Sequence, residues 1–334
     1  MIESLFFAIS LIALSSALIA PKFLQTPNTP NKLFVGYFET WSEQWKQNPA
    51  DTTLARIPAY VNVVNLAFML PDSKYSGNLD LNSAGIDFPY DGYEAKQAIA
   101  VLKQNNPDTK VLISVGGATY TNWDGFNENA VALLVRDLGL DGVDIDFEPS
   151  YSGCSQQAGD VRCQTDQQYI DIIRRTRAAL PRPYIVSIAG WSIGAYGQGD
   201  YQNAQPQGGN TGLAVNMLRQ AGDALDWVHI MSYDASNALD PVQAFNAYRS
   251  LFSGPINIGI EVPPEAWGGH VYTMSQVNSL ADYVNNNGGA GLMLWSLQQK
   301  PNGAVTDDNP NAQLIAQGAC NKFGLPDCGK PLPL

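Results

Sequence analysis

Eight short runs rich in β-branched and aromatic residues, with stretches of helical period between them, constrain this chain more than any other feature. The runs are LFVGYFE from Leu33, VNVVNLAF from Val61, KVLISVGG from Lys110, GVDIDFE from Gly142, YIVSIAG from Tyr184, WVHIMSYD from Trp227, INIGIEV from Ile256 and GLMLWSL from Gly291. YEAKQAIAVLKQ from Tyr93, NAVALLVRDL from Asn129, QQYIDIIRRTRAAL from Gln167 and VQAFNAYRSLF from Val242 repeat apolar residues at helical spacing. Eight alternating units predict an α/β fold in which parallel strands close into a (β/α)8 TIM barrel, here as a single catalytic domain. Reactive residues of such barrels sit at the carboxyl ends of the strands, so the last residues of each run are the candidates. Only 28 residues, Pro263 to Ala290, separate the seventh and eighth strands, room for a loop and one helix from about Thr273.

Residues 1–20, MIESLFFAISLIALSSALIA, are apolar from Leu5 to Ala20 and read as a secretory signal peptide cut after Ala17 or Ala20. That stretch is shorter than the about 20 residues a membrane span needs, so stable membrane insertion is not expected. Residues 21–32 read as a linker that should be poorly ordered, 33–319 as the barrel and 320–334 as a C-terminal tail. Secretion makes disulfides of the four cysteines. More than one connectivity is formally open. Local pairs, Cys154 with Cys163 and Cys320 with Cys328, are favoured because each pair lies in one Gly-rich and polar loop.

Lys plus Arg number 19 against 31 Asp plus Glu, a net charge of -12, which argues against nucleic acid as a partner because phosphate binding needs clustered positive charge. An apolar fraction of 45% argues against disorder. Neither of the two histidines has a Cys or a second His at ligand spacing, so no zinc site is expected. Seven Trp and 15 Tyr leave flat aromatic faces that suit a neutral ligand such as a sugar.

The fourth run concentrates the acids: Asp144, Asp146 and Glu148 share one face of a strand while Val143, Ile145 and Phe147 share the other. In a closed barrel the carboxyl face turns inward. Acids at steps of about 7 Å cannot all ionise there, since desolvation and like charge both oppose it, so one or more should keep a proton near neutral pH. Glu148, last and nearest the mouth, is the candidate general acid. A divalent cation is the rival explanation, weakened because the other strand ends offer Tyr, Ser, Met and Trp with one further acid.

Those strand ends complete a pattern. Asp141, Asp144, Asp146 and Glu148 match DxxDxDxE, Ser114 to Gly117 match SxGG, and Met231 to Asp234 match MxYD. With these motifs in order on three strands, the chain from about Leu33 to Leu297 resembles the family 18 glycoside hydrolases, specifically single-domain chitinases without the α+β insertion. The resemblance implies retaining hydrolysis in which the substrate's own N-acetyl group is the nucleophile, with no cofactor.

By the same resemblance Glu148 protonates the glycosidic oxygen, Asp146 holds the acetamido N–H, Asp144 shares a proton with Asp146, and Tyr233 donates to the acetamido oxygen. Tyr37 and Ser114 lie beneath the aspartates, Trp295 floors the distorted sugar, and Gly117, Met231 and Asp234 join the substrate-binding set. Asp141 is expected to anchor the start of the strand. Trp41, Trp45, Trp191 and Trp267 fall just past strand ends and are open between sugar platforms and core or surface residues. His229 is expected to pack behind the barrel. The implied function is a secreted, monomeric endo-chitinase acting on chitin or N-acetylglucosamine oligomers. An endo-β-N-acetylglucosaminidase cutting the chitobiose core of N-glycans fits the same motifs. A non-catalytic chitin-binding lectin fits the fold, but such lectins lose the acid at Glu148.

Overall fold

The computed structural model describes residues 32–267 and 271–333. The expected signal peptide, and all of the expected linker except Lys32, lie outside these residues. Ten strands are present: β1 (Leu33–Glu39), β2 (Val63–Met69), β3 (Lys110–Gly116), β4 (Gly142–Asp146), β5 (Ser155–Gln157), β6 (Asp160–Arg162), β7 (Ile185–Trp191), β8 (Trp227–Met231), β9 (Ile256–Glu261) and β10 (Gly291–Trp295). Eight of them close a parallel barrel in the order β1-β10-β9-β8-β7-β4-β3-β2, while β5 and β6 form a separate antiparallel hairpin after β4.

The helices follow the apolar periodicity. Helix α1 (Leu81–Ala84) is one turn, and α2 (Gly92–Asn105), α3 (Glu128–Leu138), α4 (Asp166–Ala179), α5 (Val215–Ala221), α6 (Pro241–Leu251), α7 (Met274–Asn286) and α8 (Ala312–Phe323) cover the barrel. On α3 the buried residues Val131, Leu134, Val135 and Leu138 recur at helical spacing, Asn127 accepts the Ala130 N–H at its start, and Gly139 ends it in a left-handed turn. Between β9 and β10 the described residues hold a loop and α7, begun by the Thr273–Gln276 capping box. Helix α8 runs through Cys320 to Phe323, so the expected boundary at residue 320 falls inside a helix.

Both disulfides are local, Cys154–Cys163 and Cys320–Cys328. The first ties the foot of the β5–β6 hairpin. The second fastens the chain end to α8, and beyond it the Lys330 carbonyl accepts from the Tyr60 hydroxyl at 3.0 Å.

The inner face of the barrel is polar well below its mouth. Asn65, Ser114, Asp144, Ser187, His229 and Asn257 are all fully buried. Ser114, Asp144 and Ser187 are in register across three strands, and His229 is in register with Asn257. His229 therefore lies inside the barrel, not behind it. Strand residues two apart share a face, so it lines up with Met231, which lines the cleft above, and Asn257 Nδ2 meets its Nδ1 at 3.0 Å. Burial pushes the imidazole down to about 4 against the opposing pull of Asp144, leaving it neutral.

The seam between first and last barrel strands depends on a close approach. A Cβ on Gly291 would fall 1.7 Å from the Leu33 carbonyl oxygen, a backbone atom that cannot step aside without moving β1. Gly291→Ala should therefore lower the urea unfolding midpoint, at unchanged m value, by the equivalent of about 1–3 kcal/mol. A midpoint equal to that of the parent protein would mean the seam is looser than drawn here.

Candidate active site

Asp144 is the lowest acid of the site and the best satisfied. The Tyr37 hydroxyl donates to its Oδ2 at 2.6 Å, the Ser114 hydroxyl to the same oxygen at 2.9 Å, and the Ser187 hydroxyl to Oδ1 at 2.7 Å. Three donors, from β1, β3 and β7, meet both of its oxygens.

Asp146 ends β4, is 4% exposed, and its Oδ1 has no hydrogen-bond partner. Burial first, then the charges of Glu148 and Asp144, lifts it well above the ordinary carboxylate range. The SxGG glycines let β3 come close enough to hold it. Gly116 has φ +105°, and a Cβ there would meet the Asp146 carbonyl oxygen at 2.3 Å; Gly117 N–H donates to that same oxygen at 3.0 Å. Glu148 lies just past the end of the strand. Burial, followed by the charge of Asp234, pushes it up to about 7. Asp141, at the other end of β4, accepts the Val111 N–H at 2.8 Å and pairs with Lys103 at 2.9 Å, far from the mouth.

Above these acids opens a cleft of about 540 Å³, lined by Asp146, Glu148, Tyr37, Met231, Tyr233 and Asp234 among others. Its floor is aromatic. Trp295 stacks with Phe68 at 5.6 Å and 24° and meets the edge of Tyr37 at 5.6 Å, and Phe68 stacks in turn with Trp41 at 6.2 Å. Tyr233 is buried, and burial, with the charge of Asp146 next, holds its phenol well above the usual range, so it remains a donor. Trp191 and Trp267 line this cleft and a second groove beyond Glu148. Trp45 is exposed and lines neither.

Four residues of the site escaped the sequence reading. Ser187 carries no motif, and only its inward phase opposite Asp144 could have found it. Phe68 reaches the cleft because the β2–β3 register shifts between Leu66 and Met69, a bulge that breaks the inward-outward alternation. Glu261 and Glu265 add two acids where one was expected. Glu261, at the end of β9, is 1% exposed and is pushed up to about 8 by burial and then by Asp234; Glu265 is pushed to about 7, first by burial. Glu265 accepts the Asp234 N–H at 2.9 Å, and the Asp234 carboxylate accepts the Trp267 N–H, while Asp234 itself sits at φ +49°. Among the described residues, no group of three or more His, Cys, Asp or Glu is arranged to hold a metal ion.

The family model for Glycosyl hydrolases family 18 matches residues 33–259. Chitinase A1 of Niallia circulans is 30% identical over 44% of this chain and 21% of its own length. Exochitinase 1 of Streptomyces olivaceoviridis is 24% identical over 69% of this chain and 40% of its own. The chain thus spans well under half the length of these two relatives. The crystal structure of a GH18 chitinase from Pseudoalteromonas aurantia superposes with a TM-score of 0.59 at 23% identity, covering 86% of this chain and all of that one, and shares the fold.

The raised carboxyls have a consequence for stability. Glu148, Glu261 and Glu265 move from an ordinary 4.5 to about 7, 8 and 7, so between these values the folded protein binds protons that the unfolded chain has released. The three together outweigh His229, whose lowered imidazole acts the other way up to its ordinary 6.5, so stability should fall as pH rises from about 4.5 to 8. The thermal midpoint should decline across that window, and Glu261→Gln should flatten the decline. A midpoint rising steadily from pH 5 to 8 in the parent protein would contradict these assignments.

Proposed function

Because the chain belongs to glycosyl hydrolase family 18, we propose that it is a secreted endo-chitinase that hydrolyses β-1,4 bonds between N-acetylglucosamine units with retention. The observation that carries this reading is a carboxylic acid poised near 7, Glu148, beside Asp146 and above an aromatic floor. A sugar lying on Trp295 brings its 2-acetamido group over Asp146 and Tyr233. The open Oδ1 of Asp146 accepts the acetamido N–H and Tyr233 donates to the carbonyl oxygen, turning that oxygen toward the anomeric carbon. As the new carbon–oxygen bond forms, the glycosidic bond breaks and Glu148 gives its proton to the departing oxygen. Water then attacks the cyclic intermediate from the opposite side, Glu148 takes the proton back, and two inversions yield retention. Asp144, held by its three hydroxyls, lies beneath Asp146 and shares a proton with it.

Secretion is supported by the two disulfides, which form and persist in oxidising compartments. No helix among the described residues is long and apolar enough to cross a membrane. The endo mode is supported by the rim: the cleft continues past Glu148 into a second groove, and between β9 and β10 the described residues hold only a loop and α7. An internal stretch of polymer can lie across Glu148 without threading. The chitobiose core of an N-glycan carries the same participating group, and a high-mannose glycoprotein is the substrate that separates that reading. The intact Glu148 speaks against a lectin.

Glu148→Gln should reduce turnover of N-acetylglucosamine oligomers by about 10²- to 10⁴-fold while oligomer binding, followed by tryptophan fluorescence, persists. In the parent enzyme kcat/KM should fall as pH rises through about 7, where Glu148 loses its proton. A mutant retaining more than about a third of parental turnover would remove Glu148 from the acid's role, given that expected loss. On soluble chitin, viscosity should drop early while oligomers of mixed length appear. Dimers dominating from the first minutes, with little loss of viscosity, would mean an exo-acting or processive enzyme.

A further inference from the structure

Glu148 borders two cavities at once. Asp146, Tyr233 and Trp295 line only the first. The second, of about 530 Å³, is walled by Tyr151, Gly153 and Cys154 and shares Trp191 and Trp267 with the cleft. A general acid protonates the oxygen that joins two sugars. With the attacked sugar over Trp295, the sugar that departs must lie on the other side of Glu148, in this second groove.

The wall of that groove is braced. Pro149–Gly153 runs from Glu148 straight into the disulfide Cys154–Cys163 at the foot of the β5–β6 hairpin. Ser152 Oγ donates to the Gly209 carbonyl at 2.6 Å and Gln156 Nε2 to the Gly197 carbonyl at 3.0 Å. Arg162 reaches Asn216 at 2.8 Å, and Arg219 grips both oxygens of Asp160 at 3.0 and 2.9 Å. Midway along this held segment Tyr151 is 71% exposed. A large aromatic face left in water on a wall fixed at both ends offers contact area with little ordering entropy still to lose. Three residues of chain reach at most about 10 Å, which keeps Tyr151 close to the acid.

We propose that Tyr151 is the residue that determines how firmly the departing part of the polymer, the β-1,4-linked N-acetylglucosamine units on the reducing-end side of the cut, is gripped in this groove. The inference rests on the chitinase reading above. The Tyr151 ring stacks against the apolar face of a pyranose, and the disulfide keeps the ring at a fixed distance from Glu148. Binding energy drawn from the leaving side then favours cuts that place several units there.

The test compares two substrates in parent enzyme, Tyr151→Ala and Tyr151→Phe: the N-acetylglucosamine hexamer, and an aryl glycoside of N,N′-diacetylchitobiose whose leaving group is one aromatic ring. Tyr151→Ala should lower kcat/KM on the hexamer by about three- to tenfold relative to its effect on the aryl glycoside. It should also shift hexamer products away from cuts with two or more units on the leaving side, and Tyr151→Phe should restore both properties. Equal losses on the two substrates, or an unchanged hexamer product pattern, would overturn the role of Tyr151 while leaving the chitinase reading standing. A parent enzyme that cleaves neither substrate overturns both.

Discussion

The structure turns on one buried carboxyl group. Asp144 lies at the centre of the barrel, out of reach of solvent, and so polar a group is tolerable there only if its oxygens are paired. Hydroxyls from three separate strands supply the pairing. Each donor has to arrive at the right height, so this carboxyl group and the strand register specify one another: slip β3 or β7 by one residue and a hydroxyl is replaced by the apolar side chain of the alternate face. Leaving such an acceptor unmade costs about 1–3 kcal/mol, enough to select the register without help from sequence-local signals.

The groups above it are held back from ionising chiefly by burial. Asp146 feels burial first, then Glu148 and Asp144, so a buried carboxyl with an open oxygen is held at the cleft floor. Glu148 feels burial and then Asp234, and Asp234 is itself one of a second trio with Glu261 and Glu265. The site gathers two groups of carboxyls that meet at Glu148 and Asp234. The excess of acids in the composition gave no hint of this, because most of the 31 are elsewhere.

The barrel was legible because its two periodicities, two for strands and 3.6 for helices, are both carried by apolar residues. The carboxylates of β4 were legible for the same reason, as polar residues where a core was due. What escaped lies where a local rule breaks. Phe68 depends on a bulge that shifts the phase of β2, and strand content alone does not reveal an extra residue. Ser187 is one small hydroxyl among many, meaningful only opposite Asp144. Glu265 reaches Asp234 by accepting its N–H and Glu261 by a side-chain hydrogen bond, contacts that sequence spacing does not encode. His229 shows the opposite failure: residues two and four apart share a strand face, so the alternation itself puts it in phase with Met231 and Tyr233 and inside the barrel, contrary to the expectation.

The strand order adds a consequence for how the protein comes to be active. Neighbouring strands follow one another along the chain everywhere except at the seam, where β1 meets β10. Trp295 comes from one side of that seam, and Tyr37, which both fixes Asp144 and packs against Trp295, comes from the other. Seven strands in an open fan could hold most of the acids in line and still leave the cleft without its aromatic floor. Ring closure and the Tyr37–Trp295 contact are thus one event, and a chain stalled short of closure would have the acids without the cleft.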